Sequence, residues 1–297
     1  MKSFPIKQSG FTLVELMVAM TLGLILSAAM VGVFTTNQTA VRTTDELSRM
    51  QESIRLSFEF MAREIREAGS TVCAKNLSVV NVLNNADTVW WSTWGDAVRG
   101  YDASQAFSGV AIGDSVSERL AGTDAIQLLS GSGMDTLTIV DHVPSSAQFK
   151  LNTTAHGIVD DDIVMACDYS QASIFQITNA SDASETMVHN TGTGSVGNCT
   201  KGLGIPRNCT TNGTPYEYSP HSQLVRLNAT AWYVGLGSNG RPSLYRATRS
   251  GAQEIAPGVT SLDIQYLVAD AADYVDATAV VDWGSVIAVR LQITVES

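Results

Sequence analysis

The sequence predicts an α+β fold, with one long N-terminal helix packed on a mainly antiparallel β-sheet head. Three observations carry that expectation. An uncharged run reaches from Leu16 to Phe34, and an amphipathic stretch continues it without a proline as far as Ala68. Beyond Gly69 the pattern changes to period-two alternation rich in β-branched residues.

The chain opens with MKSFPIKQSG, a short polar leader that is positive at Lys2 and Lys7 and carries no acid. The uncharged run that follows is about 19 residues long, enough to cross a bilayer at roughly 1.5 Å per residue. Lysines ahead of it favour an inside N-terminus and put the rest of the chain outside the cytoplasm. Two features set this segment apart from an ordinary secretory signal. The leader ends in Gly10, before the apolar run, and no A-x-A-like site closes the run at its far end. The apolar helix is therefore expected to stay on the mature protein. The second feature is Glu15, since a carboxylate near the end of a membrane helix is costly and usually has a partner.

Gly10-Phe11-Thr12-Leu13-Val14-Glu15-Leu16 resembles the type IV prepilin processing motif. The resemblance implies a cut between Gly10 and Phe11 by prepilin peptidase and N-methylation of Phe11. It also implies a role for Glu15 in methylation and in meeting the terminal amine of a neighbouring subunit during assembly. The physical logic is that an ammonium on one chain neutralises a carboxylate on the next in low dielectric, where an unpaired charge would be expensive. The expected organisation is a prepilin leader over 1–10, a long helix over 11–69 and a β-rich head over 70–297. Within the helix, 11–34 is the membrane or filament-core half and 35–69 the amphipathic half.

In that second half apolar residues recur at Leu47, Met50, Ile54, Phe58, Met61, Ile65 and Ala68, spacings that put them on one helix face. The other face carries Asp45, Arg49, Glu52, Arg55, Glu59, Arg63 and Glu67, with Asp45–Arg49 and Glu59–Arg63 read as acid-then-base pairs. Gly69 suits a left-handed stop. The whole is a helix of about 58 residues, roughly 85 Å long. Gly23 and Gly32 would loosen its exposed half, and Gly32 stands where major pilins usually have proline.

Strands are expected at Asp124–Leu129, Thr136–Val140, Asp162–Cys167, Ser173–Thr178, Thr230–Leu236, Ser243–Thr248, Val259–Val268 and Ser285–Val295. In the last of these, Ile287, Val289, Leu291, Ile293 and Val295 alternate with a second face, and Ala269–Asp282 reads as a loop. Trp90–Gly122 and Ser181–Pro220 are rich in small and polar residues and read as long surface excursions. Cys73, Cys167, Cys199 and Cys209 form no C-x-x-C, and in an exported chain they suggest two disulfides. Three pairings are possible and the sequence alone does not choose among them; the one favoured here is Cys199–Cys209, which closes a short loop, leaving Cys73–Cys167.

No catalytic constellation is visible, so the chain is not expected to be an enzyme, and no cofactor or metal is expected. His142, His156, His189 and His221 are scattered through polar context and read as surface or turn residues. Asp160-Asp161-Asp162 lacks the alternating ligands, glycine and distal glutamate of an EF-hand and reads as a turn. Gly192-Thr-Gly-Ser-Val-Gly197 spells G-x-G-x-x-G but follows no clear strand and opens no helix. Trp90, Trp91 and Trp94 are either a partner-binding cluster or core and edge packing. A net charge of −11 argues against nucleic acid as a partner of the whole surface.

The C-terminal half carries a second resemblance. Trp232-Tyr-Val, Gly240-Arg-Pro-Ser-Leu-Tyr-Arg246, Gly258-Val-Thr-Ser-Leu-Asp-Ile-Gln-Tyr266 and Asp282-Trp-Gly-Ser-Val-Ile-Ala-Val-Arg290 resemble PilW-type minor pilins. Ala121-Gly-Thr-Asp-Ala-Ile and the Asp161–Val164 and Ala172–Ile177 stretches fit the same family, which is related to type II secretion pseudopilin J. The resemblance implies a type IV pilin fold and a minor pilin that primes filament assembly and lies at the tip, with roles in adhesion and twitching motility. Its implied partners are prepilin peptidase, other minor and major pilins, the inner-membrane assembly machinery and a large tip adhesin. The implied location is the inner membrane with a periplasmic head before assembly, and the pilus tip after it. The alternatives are a pseudopilin of a type II secretion or DNA-uptake machine and, from another class, a membrane-tethered periplasmic binding or enzyme module.

Overall fold

The computed structural model describes residues 12–70, 73, 77–84, 86, 88–132, 137–192 and 196–296. A helix, α1, runs from Leu13 to Glu67 and passes unbroken through Gly23 and Gly32. Gly69 follows with a φ of 73°, a left-handed conformation that suits glycine. Its amide donates to the Leu129 carbonyl at 2.8 Å, and the Ser70 amide donates to the Glu67 carbonyl at 3.0 Å. The chain divides into two units that part within α1, between Glu52 and Ser53. The first unit is helical from Leu13 onward. The second holds the end of α1 and the strands.

In chain order the described strands are β1 Ser78–Asn81, β2 Val98–Tyr101, β3 Ala125–Ser132, β4 Ile139–Val143, β5 Gln148–Leu151, β6 Ile163–Cys167 and β7 Gln171–Gln176. They continue as β8 Thr186–Val188, β9 Gln223–Leu236, β10 Pro242–Thr248, β11 Gly251–Pro257, β12 Val259–Val268 and β13 Val286–Val295. The largest sheet has the order β1-β7-β6-β9-β10-β11, with β3 also on β9 and β2 on β3. The β1–β7 pair is parallel and the other described pairs are antiparallel. β9 is the trunk. Its first residues pair with β6, its last with β10, and β3 lies along its opposite edge. Two smaller sheets, β12-β13 and β4-β5-β8, complete the head. Gly100 in β2 lies where any Cβ would overlap the Tyr266 ring, so this crossing of β2 and β12 admits no larger residue.

β9 contributes to four hydrophobic clusters, of which two are the larger. One joins Met61 of α1 to Ile126, Trp232, Leu244, Leu262, Ile264 and Tyr266. The other, away from the helix, gathers Ile139, Phe149, Ile158, Val164, Phe175, Met187 and Tyr218.

The helix stripe is narrower than its spacing suggests. Ser57 and Met61 are buried on α1, while Leu47 and Phe58 are 42% and 47% exposed. The packed face also carries a polar residue. Glu64 Oε2 accepts from Trp232 Nε1 at 2.6 Å and from Thr230 Oγ1 at 3.0 Å. Its Oε1 accepts from Arg246 Nε and Nη2, each at 2.8 Å. The helix is thus held by Met61 with Ile65 and Ala68 partly buried in the same core, and by Glu64 among them. The ion pairs on its outer face also differ from expectation. They are Arg55–Glu59 at 3.2 Å and Arg63–Glu67 at 2.9 Å, base before acid. Helical side chains lean toward the N-terminus, which brings each glutamate back over the arginine one turn before it.

The two surface excursions keep much of their length exposed but send single residues inside. In Trp90–Gly122, Trp90 packs edge-on against Phe107 at 5.3 Å, and Trp91 and Trp94 are half-buried beside the cores. Arg119 is fully buried, and its guanidinium donates to the carbonyls of Gln105 (2.9 Å), Asp102 (2.7 Å) and Thr123 (2.9 Å from Nε), which gathers the segment around one cation. In Ser181–Pro220, Met187, His189, Asn198, Leu203 and Tyr218 are buried. Asn198 pairs with the backbone of Gln176 through its side chain, at 2.7 and 2.8 Å, and so extends the bonding of β7. Strand β13 loses its simple alternation at its start. A register shift lies opposite Val286, between Leu267 and Val268 of β12, and Ile287 is 66% exposed.

The Glu64 arrangement yields a direct test. Charge-assisted hydrogen bonds contribute about 1.5–3 kcal/mol, so Glu64→Ala should destabilise the head by about 2 kcal/mol and lower its melting temperature by about 4–8 °C. Glu67→Ala, which removes an exposed pair, should shift it by less than about 2 °C. Thermal unfolding of the detergent-solubilised chain, followed by near-ultraviolet circular dichroism, measures both.

Candidate functional site

Gly10 and Phe11 lie outside the described residues. The described chain begins at Thr12, and Thr12 to Glu15 closes a reciprocal cap on α1. The Thr12 amide and hydroxyl each donate to Glu15 Oε2 at 3.0 Å, and the Glu15 amide donates to Thr12 Oγ1 at 3.3 Å. This is a capping box, in which a threonine and the glutamate three residues on satisfy otherwise unpaired amides at the helix start. Its T-x-x-E spelling ahead of an apolar run was readable in the sequence, and the motif-level reading passed over it. Oε1 accepts no hydrogen bond from the described residues.

Behind the cap the helix offers side chains with nothing of its own chain to bury them. Leu13 is 75% exposed, Leu24 71% and Phe34 62%. By length and composition this helix can cross a membrane, with a mean hydropathy of 2.3 over its most apolar window. Where the run turns polar, hydroxyls bond back to the helix. Thr36 Oγ1 donates to Gly32 O at 2.9 Å, Thr39 to Thr35 O at 3.0 Å, Thr43 to Thr39 O at 3.0 Å and Ser48 to Thr44 O at 2.9 Å. A hydroxyl satisfied in this way can be placed against apolar surroundings at little cost. The hydroxyls of the segment 35–48 are therefore self-satisfied, while Asn37, Gln38, Arg42, Asp45 and Glu46 keep it polar.

Elsewhere the head shows bracing. Disulfides join Cys73 to Cys167 and Cys199 to Cys209. The first ties the segment after α1 to the end of β6, and the second closes a loop inside the 181–220 excursion. The three aspartates diverge to separate tasks. Asp160 accepts from the Ala180 amide at 2.6 Å, Asp161 from Gln176 Nε2 at 2.9 Å, and Asp162 lies 3.6 Å from Arg226. Among the described residues no group of three or more His, Cys, Asp or Glu is placed to hold a metal. Residues 193–195 of the glycine spelling lie outside the described residues.

The histidines are where the sequence reading fails. His142, His156 and His189 are buried, and only His221 is exposed. His156 is satisfied on both ring nitrogens, accepting from the Ile158 amide and meeting the Ser184 carbonyl, each at 3.1 Å. His142 stacks on Phe149 at 4.0 Å, and His189 lies 4.9 Å from the same ring and 5.5 Å from His142. His142 Nδ1 accepts from the Tyr218 amide at 3.1 Å, while His142 Nε2 and both nitrogens of His189 have no hydrogen-bond partner. Burial pushes His142 down to about 4, against a small opposing pull from Asp141. Burial pushes His189 down to about 3, with His142 and Lys201 adding to it. These rings act as neutral aromatics in a core. Polar flanking residues hid this, because His142 lies on a five-residue strand and His156 and His189 lie outside the strands, where burial falls on single positions.

The geometry as a whole is a single exposed apolar helix with a capped carboxylate at its head, continuing into an α+β domain with no assembled catalytic group among its described residues. That is the architecture of an anchored subunit. Residues 6–31 match the prokaryotic N-terminal methylation motif, and this supports a type IV pilin or pseudopilin. No curated protein and no solved structure matches the chain. The motif implies processing by prepilin peptidase and assembly with other pilins, and with the apolar helix it supports membrane anchoring with a soluble head.

The buried histidines predict acid lability. Unfolded, each takes a proton near pH 6.5, but folded, only near about 4 and about 3. Between these values the unfolded chain binds more protons, so stability is full above pH 6.5 and falls as pH drops through 4 toward 3. His189→Leu removes a ring with two unpaired nitrogens and should flatten this decline. Urea midpoints compared at pH 7 and at about pH 4.5 should show wild type losing more than the variant; equal losses would clear His189 of the effect.

Proposed function

We propose that the chain is a minor pilin of the PilW type, which takes part in the initiation of a type IV pilus and in the composition of its tip. The observation that carries this reading is the match of residues 6–31 to the methylation motif at the head of a helix whose apolar side chains its own chain leaves exposed. On this reading prepilin peptidase cuts between Gly10 and Phe11 and methylates Phe11. The helix then leaves the inner membrane to join the filament core, where neighbouring pilins cover residues such as Leu24 and Phe34. Glu15 keeps Oε2 on the Thr12 cap and presents Oε1 to the terminal amine of an adjacent subunit. The attraction is strong there because the surroundings are apolar.

Several features favour a tip or priming position over a bulk one. The head is large and carries its own second core away from the helix. Two disulfides brace it, which suits a domain exposed outside the cell. Helix α1 runs straight through Gly32, where bulk subunits would place a helix-melting proline. Adhesion and twitching motility then follow as properties of the filament that the subunit helps to start, and presentation of a large adhesin as the role of its head.

Mass spectrometry of the mature protein from the membrane fraction should find N-methylated Phe11 at its N-terminus; an intact Met1, or a terminus beyond Phe34, would overturn the reading. Glu15→Ala should leave the protein membrane-bound and folded but reduce its recovery in sheared pilus fractions by about tenfold or more, as loss of a charge pair in low dielectric requires. Wild-type recovery of that variant in pili would count against the assembly role.

A further inference from the structure

Strand β13 is ten residues long, and among the described residues it is paired along one edge alone, by β12. Natural sheets usually guard such an edge with brevity, proline or outward charge. β13 has no proline and a single charged residue, Arg290. Arg290 is turned back across β12, lying 3.9 Å over the Tyr274 ring and donating to Gln265 Oε1 at 3.3 Å. The open edge is therefore left without its one charge.

Beside it runs a groove of about 620 Å³. Phe58, Ala62, Ile65 and Arg66 of α1 form one wall, and β13 forms the other. Val286, Ile287, Ala288 and Val289 all line it. Neighbours along a regular strand point to opposite faces, but the bulge at Ile287 interrupts that alternation, so all four residues border the groove at the start of β13. The groove thus has the Phe58–Arg66 stretch of α1 on one side and, on the other, a strand whose second edge presents a row of backbone amides and carbonyls that no strand pairs among the described residues. A helical ligand has no backbone groups to offer that row, whereas an extended segment does. The remaining cue is charge. Arg66 is the one charged residue in the lining, which holds no carboxylate, although the chain has 29 acidic residues against 18 basic ones. β13 itself carries no acidic residue to set against Arg66, which disfavours a second copy pairing edge to edge.

We propose that this groove takes an extended segment of a partner protein, which adds a strand to the open edge of β13. Apolar side chains at alternate positions seat against Phe58, Ile65 and Ile287, and a carboxylate of the segment meets Arg66. The backbone ladder supplies affinity, while the apolar spacing and the carboxylate supply selectivity. This inference concerns the head alone and stands whether or not Phe11 is methylated.

The test is selection of a phage-displayed random decapeptide library on the full-length chain in detergent micelles. The enriched peptides should be apolar at alternate positions and carry one Asp or Glu. A synthetic copy should lose affinity by about tenfold on Arg66→Glu, an exposed substitution that spares the fold, and regain it when its acid is replaced by lysine. N-methylation of every second peptide amide should abolish binding in one phase and leave it intact in the other, as a one-sided ladder demands. Equal binding of both N-methylated sets would overturn the proposal. So would enrichment of apolar residues three and four apart, the absence of any enriched sequence, or efficient disulfide dimerisation of Ile287→Cys, which would assign the edge to a second copy.

Discussion

The packed end of α1 is amphipathic, but an apolar stripe alone leaves the register of a head along a long helix free to slip. Glu64 fixes that register. Its carboxylate is reached from β9 by Thr230 and Trp232 and from β10 by Arg246. Three donors converging from two adjacent strands fix both the rotation of the last turns of α1 and their height on the sheet. Apolar packing through Met61 adds stabilisation but is indifferent to small slips, because hydrophobic burial is non-directional. The polar contact is the specific element and the apolar contact the general one.

From that contact the head is built outward along β9. The half of β9 paired with β10 belongs to the core that includes Met61, through Trp232 and Val234, and the half paired with β6 belongs to the distal core, through Leu224. One long strand shared between two cores makes the second core an extension of the first. The distal core is the one with unusual chemistry. It holds two neutral histidines where apolar residues would serve, and it is roofed by a segment held less by strands than by side chains such as Asn198 and Gln171 bonded to backbone.

What could be read from the sequence follows from how local each cause is. α1 was legible because its causes are local: no proline, a glycine to stop it and a periodic face. Strands β12 and β13 were legible because each is ten residues long and alternates over much of that length. β5 and β8 were missed because four and three residues are too few to show a period. Arg119 and Glu64 gave no signal at all. Each is a charge whose meaning lies in groups brought from elsewhere: carbonyls of 102, 105 and 123 for the arginine, and donors more than 160 positions away for the glutamate. The polar tracts Trp90–Gly122 and Ser181–Pro220 read as surface throughout because composition reports the average of a segment, whereas burial is decided residue by residue. Trp90, Phe107, Leu203 and Tyr218 sit inside among neighbours that do not. At the N-terminus the candidate residues were legible as a motif, but the work done by Thr12 was not, although the spelling of a capping box was present.

That cap changes what Glu15 means energetically. A lone carboxylate at the head of an apolar helix would be a liability, and neutralising it would be the main benefit of meeting another chain. The structure shows a carboxylate already engaged, through one oxygen, by the amide and hydroxyl of its own helix start. The helix N-terminus, with its partial positive charge, adds to this. On the proposed reading the carboxylate is thus stable before assembly and still has an oxygen to offer a neighbour's amine during it. Assembly then adds an interaction and breaks none. A subunit could wait in the membrane without an unpaired charge and enter a filament without first melting its helix start. Thr12 is the residue on which that economy rests, because without its hydroxyl and its fixed cap geometry the same glutamate would have to find its first partner in another chain.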